Sequence, residues 1–217
     1  MLFRSGYLDN TLVLFTSDHA DALGQHGHIQ KWTMYDCVTR VPLLCRVPRS
    51  MAEGAPAASI TDELVQLHDL APTILETAGV PVPPNFEARS LLPRLTGAAC
   101  GAAPPRDVVY AELGRDHIQS SAEHIIMRRD RDRKLVLYPG TGEGELYDLH
   151  ADAGETRNLW HDADLREWRD RTVAGTLEWA VLGAYRAHRK PTPKPQDRKS
   201  TRLNSSHSQQ SRMPSSA

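Results

Sequence analysis

The sequence predicts an α/β fold followed by a small α+β subdomain, on three observations. An apolar run of strand length, Leu12 to Phe15, gives way abruptly to Asp, His, Gly and Lys residues. A second apolar run and a helix-patterned segment, Asp69 to Gly79, follow it. Beyond Arg106, four short apolar runs separated by charged or Gly-containing turns precede a long amphipathic stretch. Strands mixed with helical patterns indicate a sheet covered by helices, and short runs in succession indicate antiparallel strands.

Each element has its own justification. The run ending at Ser17 reads as a buried strand whose end delivers Asp18 and His19 to a crevice, where ligands sit in open α/β sheets. Residues 18–31 hold too many Gly and polar residues for a long helix and read as an ordered loop. Trp32 to Arg40 reads as a short helix with Trp32, Tyr35 and Val38 on one side. Val41 to Val47 is a strand that starts after Pro42, because proline cannot donate to a ladder. Ile60 to Leu67 reads as a short strand or edge. Asp69 is the expected N-cap of a helix with Leu70, Ile74 and Leu75 as its buried stripe and Gly79 as its stop. Ser90 to Gly97 is a short helical turn, and the Ala, Gly and Pro residues of 98–106 mark a boundary.

Four strands are then expected at Asp107–Glu112, His124–Arg128, Lys134–Tyr138 and Glu145–Leu149. The last helix, Ala163 to Ala187, carries Leu165, Trp168, Val173, Leu177, Val181 and Ala184 on one face and is expected to cover that sheet.

The 217 residues are 40% hydrophobic and 24% charged, with a formal net charge of −1. This is an ordinary globular composition without the basic excess that nucleic acid attracts. No apolar run is long enough to span a bilayer. Cys37, Cys45 and Cys100 form no CxxC pair, which gives neither a zinc ribbon nor a redox motif. Leu2–Ser5 and the tail from Asp197 resemble translated sequencing adapters, so the natural segment is expected to run from Gly6 to about Gln196. Met1 then carries no information about a leader, and neither the compartment nor the oligomeric state is readable.

Phe15-Thr-Ser-Asp-His19, Leu23-Gly-Gln-His-Gly27, Lys31-Trp-Thr-Met-Tyr35 and Arg40-Val-Pro-Leu43 together resemble the metal-binding half of a sulfatase of the alkaline phosphatase superfamily. Later blocks are similar too: His68 to Leu75, Ser90 to Pro93, and Leu146 to Leu149 followed by Glu155 and Asn158-Leu159. Ordered blocks over residues 12–159 are far more specific than one short motif.

The resemblance implies the C-terminal part of a sulfatase α/β sheet over residues 6–103 and the family's C-terminal subdomain over 104–190. Residues 1–5 would then be an adapter-like scar and 191–217 a disordered tail. It makes Asp18 and His19 metal ligands, Lys31 a catalytic contact to the sulfate oxygens, and His26 a leaving-group or supporting candidate. The metal implied is calcium, with manganese open, because a carboxylate suits a hard cation and an imidazole also suits manganese. Outside that context an Asp-His pair at a strand end is more often a turn and capping pair.

Three departures accompany the match. The C-x-P-S-R or S-x-P-S-R segment that yields the family's formylglycine is absent; Cys45-Arg-Val-Pro-Arg49 is only a near miss. The consecutive Asp pair of the family's first strand is also absent, and Ala20 stands where a Gly is usual. The resemblance therefore implies a fragment of a sulfate ester hydrolase, inactive alone, whose nucleophile lies upstream. Phosphonate or phosphate ester hydrolysis and a non-catalytic binding domain are the alternatives. The substrate expected is a small-molecule or carbohydrate sulfate ester, with Arg115, Asp116 and His117 on a candidate specificity segment.

Overall fold

A computed structural model describes residues 4–53, 58–84, 86–98, 104–114 and 122–189, with side chains to residue 184. Arg115, Asp116, His117, Cys100 and the tail expectation lie outside the described residues. Strand β1 (Val13–Thr16) pairs antiparallel with β4 (Leu43–Arg46), Phe15 facing Leu44. Between them lie the short strands β2 (Ala22–Leu23) and β3 (Ile29–Gln30), paired with each other, and helix α1 (Asp36–Thr39).

The opening strand differs from the buried one expected. Phe15 is 60% exposed and its partner Leu44 62% exposed. Among the described residues β1 has only β4 beside it, so these two apolar side chains share a face that nothing covers. The helix expected from Trp32 contracts to one turn, Asp36–Thr39, because Trp32 to Tyr35 run irregularly into it. In place of a strand at 60–67 there is a single antiparallel bridge, Leu64 to Arg106. Ile60, Val65 and Leu67 are exposed there and Leu64 is only half-buried, so the segment buries no continuous apolar face.

Helix α2 (Leu70–Thr77) forms where expected, but it buries Pro72 and Thr73 rather than the stripe expected through Ile74, which is 49% exposed, and Asp69 does not cap it in the expected way. The Asp69 side chain is fully buried and works as a hub. It receives both terminal nitrogens of Arg106, Nη2 at 2.6 Å, together with the backbone N–H groups of Gln66 at 2.9 Å and Arg89 at 2.8 Å. Burial alone would raise its pKa. The Arg106 guanidinium and the two amides outweigh that and hold the carboxyl below its ordinary value. Helix α3 (Leu92–Thr96) follows and ends on Gly97, whose left-handed φ of 72° suits a residue without Cβ.

The four predicted strands form one antiparallel meander, β5 (Val109–Gly114), β6 (His124–Arg129), β7 (Arg133–Leu137) and β8 (Gly144–Asp148), in that spatial order. The two-residue period sorts its side chains. Ile125, Met127 and Val136 point to one face, where the buried Met34 joins them. Arg128 and Arg133 point to the other, where both guanidinium groups lie over the Trp168 ring, at 5.8 and 4.8 Å. Trp168 belongs to helix α4 (Arg166–Arg189), so the start of this helix does meet the sheet, largely through cation–π contact. Leu177, one of the expected apolar stripe, is exposed, whereas the neighbouring Thr176 is buried. Contacts divide the chain after Leu177, in the middle of α4.

Two substitutions test this packing. Asp69→Asn leaves the Arg106 charge buried without its partner, a change that costs roughly 3–5 kcal/mol. In urea denaturation at neutral pH the variant is expected to be that much less stable. The native carboxyl pKa is depressed, so the Asp69 contribution is whole above its ordinary value of 3.8 and is lost as pH falls toward the lower folded value. The gap between variant and wild type should therefore narrow in acid, and a gap independent of pH would contradict the hub. At Gly144 an added Cβ would strike the Trp160 ring. Gly144→Ala should lower stability by roughly 1–3 kcal/mol, read from the same denaturation curves.

Candidate functional site

The end of β1 is bent by its own next residues. The Ser17 hydroxyl donates to the His19 carbonyl at 2.7 Å, folding residues 17–19 into a tight turn. That turn leaves the Asp18 side chain 84% exposed and the His19 side chain 32% exposed. The backbone N–H of Ala20 donates to the Val38 carbonyl at 2.9 Å, which ties the turn to α1.

The orientation of the His19 ring follows from one contact. Its Nδ1 lies 3.0 Å from the Ala20 carbonyl oxygen. A carbonyl can only accept, so Nδ1 carries the proton and Nε2 of the neutral ring presents a lone pair. Lys31 Nζ lies 2.9 Å from that Nε2, and Asp18 Oδ2 lies 3.4 Å from it. Thus Asp18, His19 and Lys31, each singled out from the sequence, converge on one imidazole nitrogen. The His19 amide, then the His19 ring and Lys31, hold the Asp18 carboxyl below its ordinary range. Asp21 approaches the far side of the ring, 3.9 Å from Nδ1.

A miniature hairpin returns the chain to His19. Ala22 faces Gln30 and Leu23 faces Ile29. Gly24 and Gly27 turn it at φ of 106° and 74°, and His26 and Gln30 adopt the same left-handed region at 54° and 66°. Glycine enters that region freely, whereas His and Gln do so at a cost. Here the loop expected at 18–31 gains structure that the alternating pattern of such short strands does not reveal.

His26 is placed against Tyr35. The two rings stack at 3.8 Å with an interplanar angle of 2°. His28 is tilted against the same Tyr35 ring at 6.0 Å. Trp32 packs locally, its indole N–H donating to Gln30 Oε1 at 2.8 Å.

The Tyr35 hydroxyl lies 3.4 Å from that of Tyr147, which donates to Glu145 Oε2 at 3.1 Å, and Tyr138 donates to Glu145 Oε1 at 2.5 Å. Burial, followed by Tyr35 and Glu145, pushes the Tyr147 phenol up, and burial with Glu145 does the same for Tyr138, so both remain protonated donors. Sequence reading did not single out this polar cluster. Its signal is the alternation of Glu145 and Tyr147 around the apolar Leu146, which puts two polar side chains on one sheet face.

Chemically, the arrangement offers a carboxylate and an imidazole lone pair to a cation, with an ammonium beside them for an anion. Among the described residues no group of three or more His, Cys, Asp or Glu side chains is gathered as a metal cage. Among the described residues no helix is long and apolar enough to cross a membrane.

Residues 24–176 match the family described as N-sulphoglucosamine sulphohydrolase, C-terminal. The chain is 34% identical over 168 residues to an N-acetylglucosamine-6-O-sulfatase of Bacteroides thetaiotaomicron, covering 75% of this chain and 29% of that protein. It is 30% identical to an arylsulfatase of Clostridium perfringens, covering 76% and 33% respectively. A solved structure of a protein in complex with its substrate D-glucosamine-2-N,6-O-disulfate is similar at 31% identity and a TM-score of 0.70, over 82% of this chain and 35% of that one. The phosphonate monoester hydrolase of Agrobacterium radiobacter is similar at 29% identity and a TM-score of 0.70, over 83% and 37%. The chain spans about a third of the length of the relatives it matches. It belongs to the N-sulphoglucosamine sulphohydrolase C-terminal family, the C-terminal region of sulfatases within the alkaline phosphatase superfamily.

Proposed function

We propose that this chain supplies the metal-and-anion side of a sulfate ester hydrolase site, acting on a sulfated sugar, with its formylglycine nucleophile carried upstream. The observation that carries this reading is the convergence of Asp18 and Lys31 on His19 Nε2. Asp18 and His19 would hold calcium or manganese together with further donors from water, substrate or protein. A cation bound there would polarise the ester and stabilise the negative charge of the nucleophile. Lys31 donates its N–H groups to a sulfate oxygen and balances charge gathering on the leaving oxygen. His26, stacked on Tyr35, is a supporting group or a proton donor to that oxygen.

The sulfated glucosamine bound by a structural relative supports a carbohydrate sulfate as the substrate class. Phosphonate or phosphate ester hydrolysis is the second reading, favoured by the likeness to the phosphonate monoester hydrolase. A cation and an ammonium suit either tetrahedral anion.

The test extends the coding sequence upstream in its source DNA and assays the resulting enzyme on glucosamine sulfates, aryl sulfates and phosphonate esters. Asp18→Ala and Lys31→Met should each lower kcat/KM by roughly 100-fold or more, the scale of losing one charge-stabilising group. Unchanged turnover in both variants would overturn the site. A kcat/KM higher on phosphonates than on sulfates would replace the first reading with the second.

A further inference from the structure

The meander sends an unusual side chain into the interior. Lys134 is fully buried, on the sheet face that also carries Val136 and Met127. Lysine almost never occupies such a place without partners for its charge. The ammonium donates to the Met34 carbonyl oxygen at 2.9 Å and to Asp36 Oδ1, and it forms an ion pair with Glu155 Oε1 at 2.5 Å. Glu155 is also buried, and its other oxygen, Oε2, accepts the backbone N–H of Asp36 at 2.6 Å.

Arg129, directly across the ladder from Lys134, reaches Asp36 Oδ2 at 3.2 Å. Like charges facing each other across strands repel. Here Asp36 stands between them, and the group as a whole is two cations with two carboxylates. Glu155 holds a left-handed backbone, φ 55°, which a non-glycine residue keeps only where surrounding contacts enforce it.

Apart from the Lys134–Glu155 pair, each of these contacts falls on Met34 or Asp36. The Met34 side chain is buried in the same sheet face, so this short segment is held by an apolar anchor, a carbonyl, an amide and a carboxylate at once. Three residues upstream of Met34 is Lys31, and between Met34 and Asp36 is Tyr35, on which His26 stacks.

We propose that Lys134, Glu155 and Asp36 are positioning residues. They lock the 34–36 segment to the C-terminal sheet and thereby hold Lys31 Nζ at His19 Nε2 and the Tyr35 ring beneath His26. The proposal rests on the reading of Lys31 as the anion contact. It makes the C-terminal sheet part of the reaction machinery, although none of these three side chains touches the substrate.

The experiment uses this chain with 15N-labelled histidines. A double variant, Lys134→Met with Glu155→Leu, removes one charge of each sign and leaves the Arg129–Asp36 pair, so the interior stays neutral. Circular dichroism should show the wild-type fold. Amide exchange at Met34, Tyr35 and Asp36 should quicken by roughly tenfold or more as local opening becomes easier. The His19 Nε2 resonance should move toward its position in Lys31→Met, and the ring-current shift of His26 should shrink.

A folded double variant with wild-type exchange at 34–36 and an unmoved His19 resonance would overturn the proposal. Should the double variant unfold, the near-isosteric Glu155→Gln is read on the same resonances against the same two outcomes. Lys31→Met separates the two ideas. If that change leaves the His19 resonance in place, the site reading fails, and the exchange rates at 34–36 judge the clamp by themselves. If it moves the resonance and the clamp variants do not, the clamp alone fails.

Discussion

A single buried ammonium, that of Lys134, ties the two parts of this structure on which its chemistry depends. Taking a lysine out of water is expensive, and the expense is met only where opposite charges and carbonyls converge in fixed geometry. That requirement dictates what stands around it. Asp36 and Glu155 must be close, Glu155 must accept a left-handed backbone, and the Met34 carbonyl must turn inward. A weaker, purely apolar contact between sheet and segment would allow sliding, because apolar packing is nondirectional. Charge and hydrogen bonding fix register as well as proximity.

The rest of the site is built out from that fixed point by short-range connections. The hairpin of Ala22–Gln30 returns the chain beside His19, with glycines at two of its turns. The Ala20 amide joins the Asp18 turn to α1, whose first residue is Asp36. On the sheet side, Glu145 holds two tyrosines, and one of them reaches Tyr35. The opposite sheet face is closed by Trp168 lying on two arginines. The meander is thus a rigid platform, with the start of helix α4 on one side and the site segment on the other.

Much of this was legible in the sequence where a pattern has a local cause. Strands β5 to β8 and helix α2 follow from runs and stop signals, Asp18 and His19 stand where a strand run ends in ligand-type residues, and Lys31 stood out only through the resemblance of its block to sulfatases. Failures came where tertiary structure decides. Leu64 and Val65 look like part of a strand, yet that segment finds only the bridge from Leu64 to Arg106. Asp69 stands at the expected start of a helix, but Arg106 and the amides of Gln66 and Arg89 use its oxygens instead. Lys134 was legible only as a polar residue at the start of a strand. Its burial depends on Asp36 and Glu155, which lie 98 and 21 positions away along the chain, and no local period encodes that.

The central claim is that Asp18, His19 and Lys31 form one site for a cation and a tetrahedral anion. The most direct measurement is anomalous diffraction, at the manganese edge, from crystals of the enzyme carrying this region grown with Mn2+ and a glucosamine sulfate. The account predicts a manganese peak within coordination distance of both Asp18 and His19 Nε2, with Lys31 Nζ moved from the imidazole to a sulfate oxygen. A manganese peak elsewhere, with Lys31 still on His19, would contradict it.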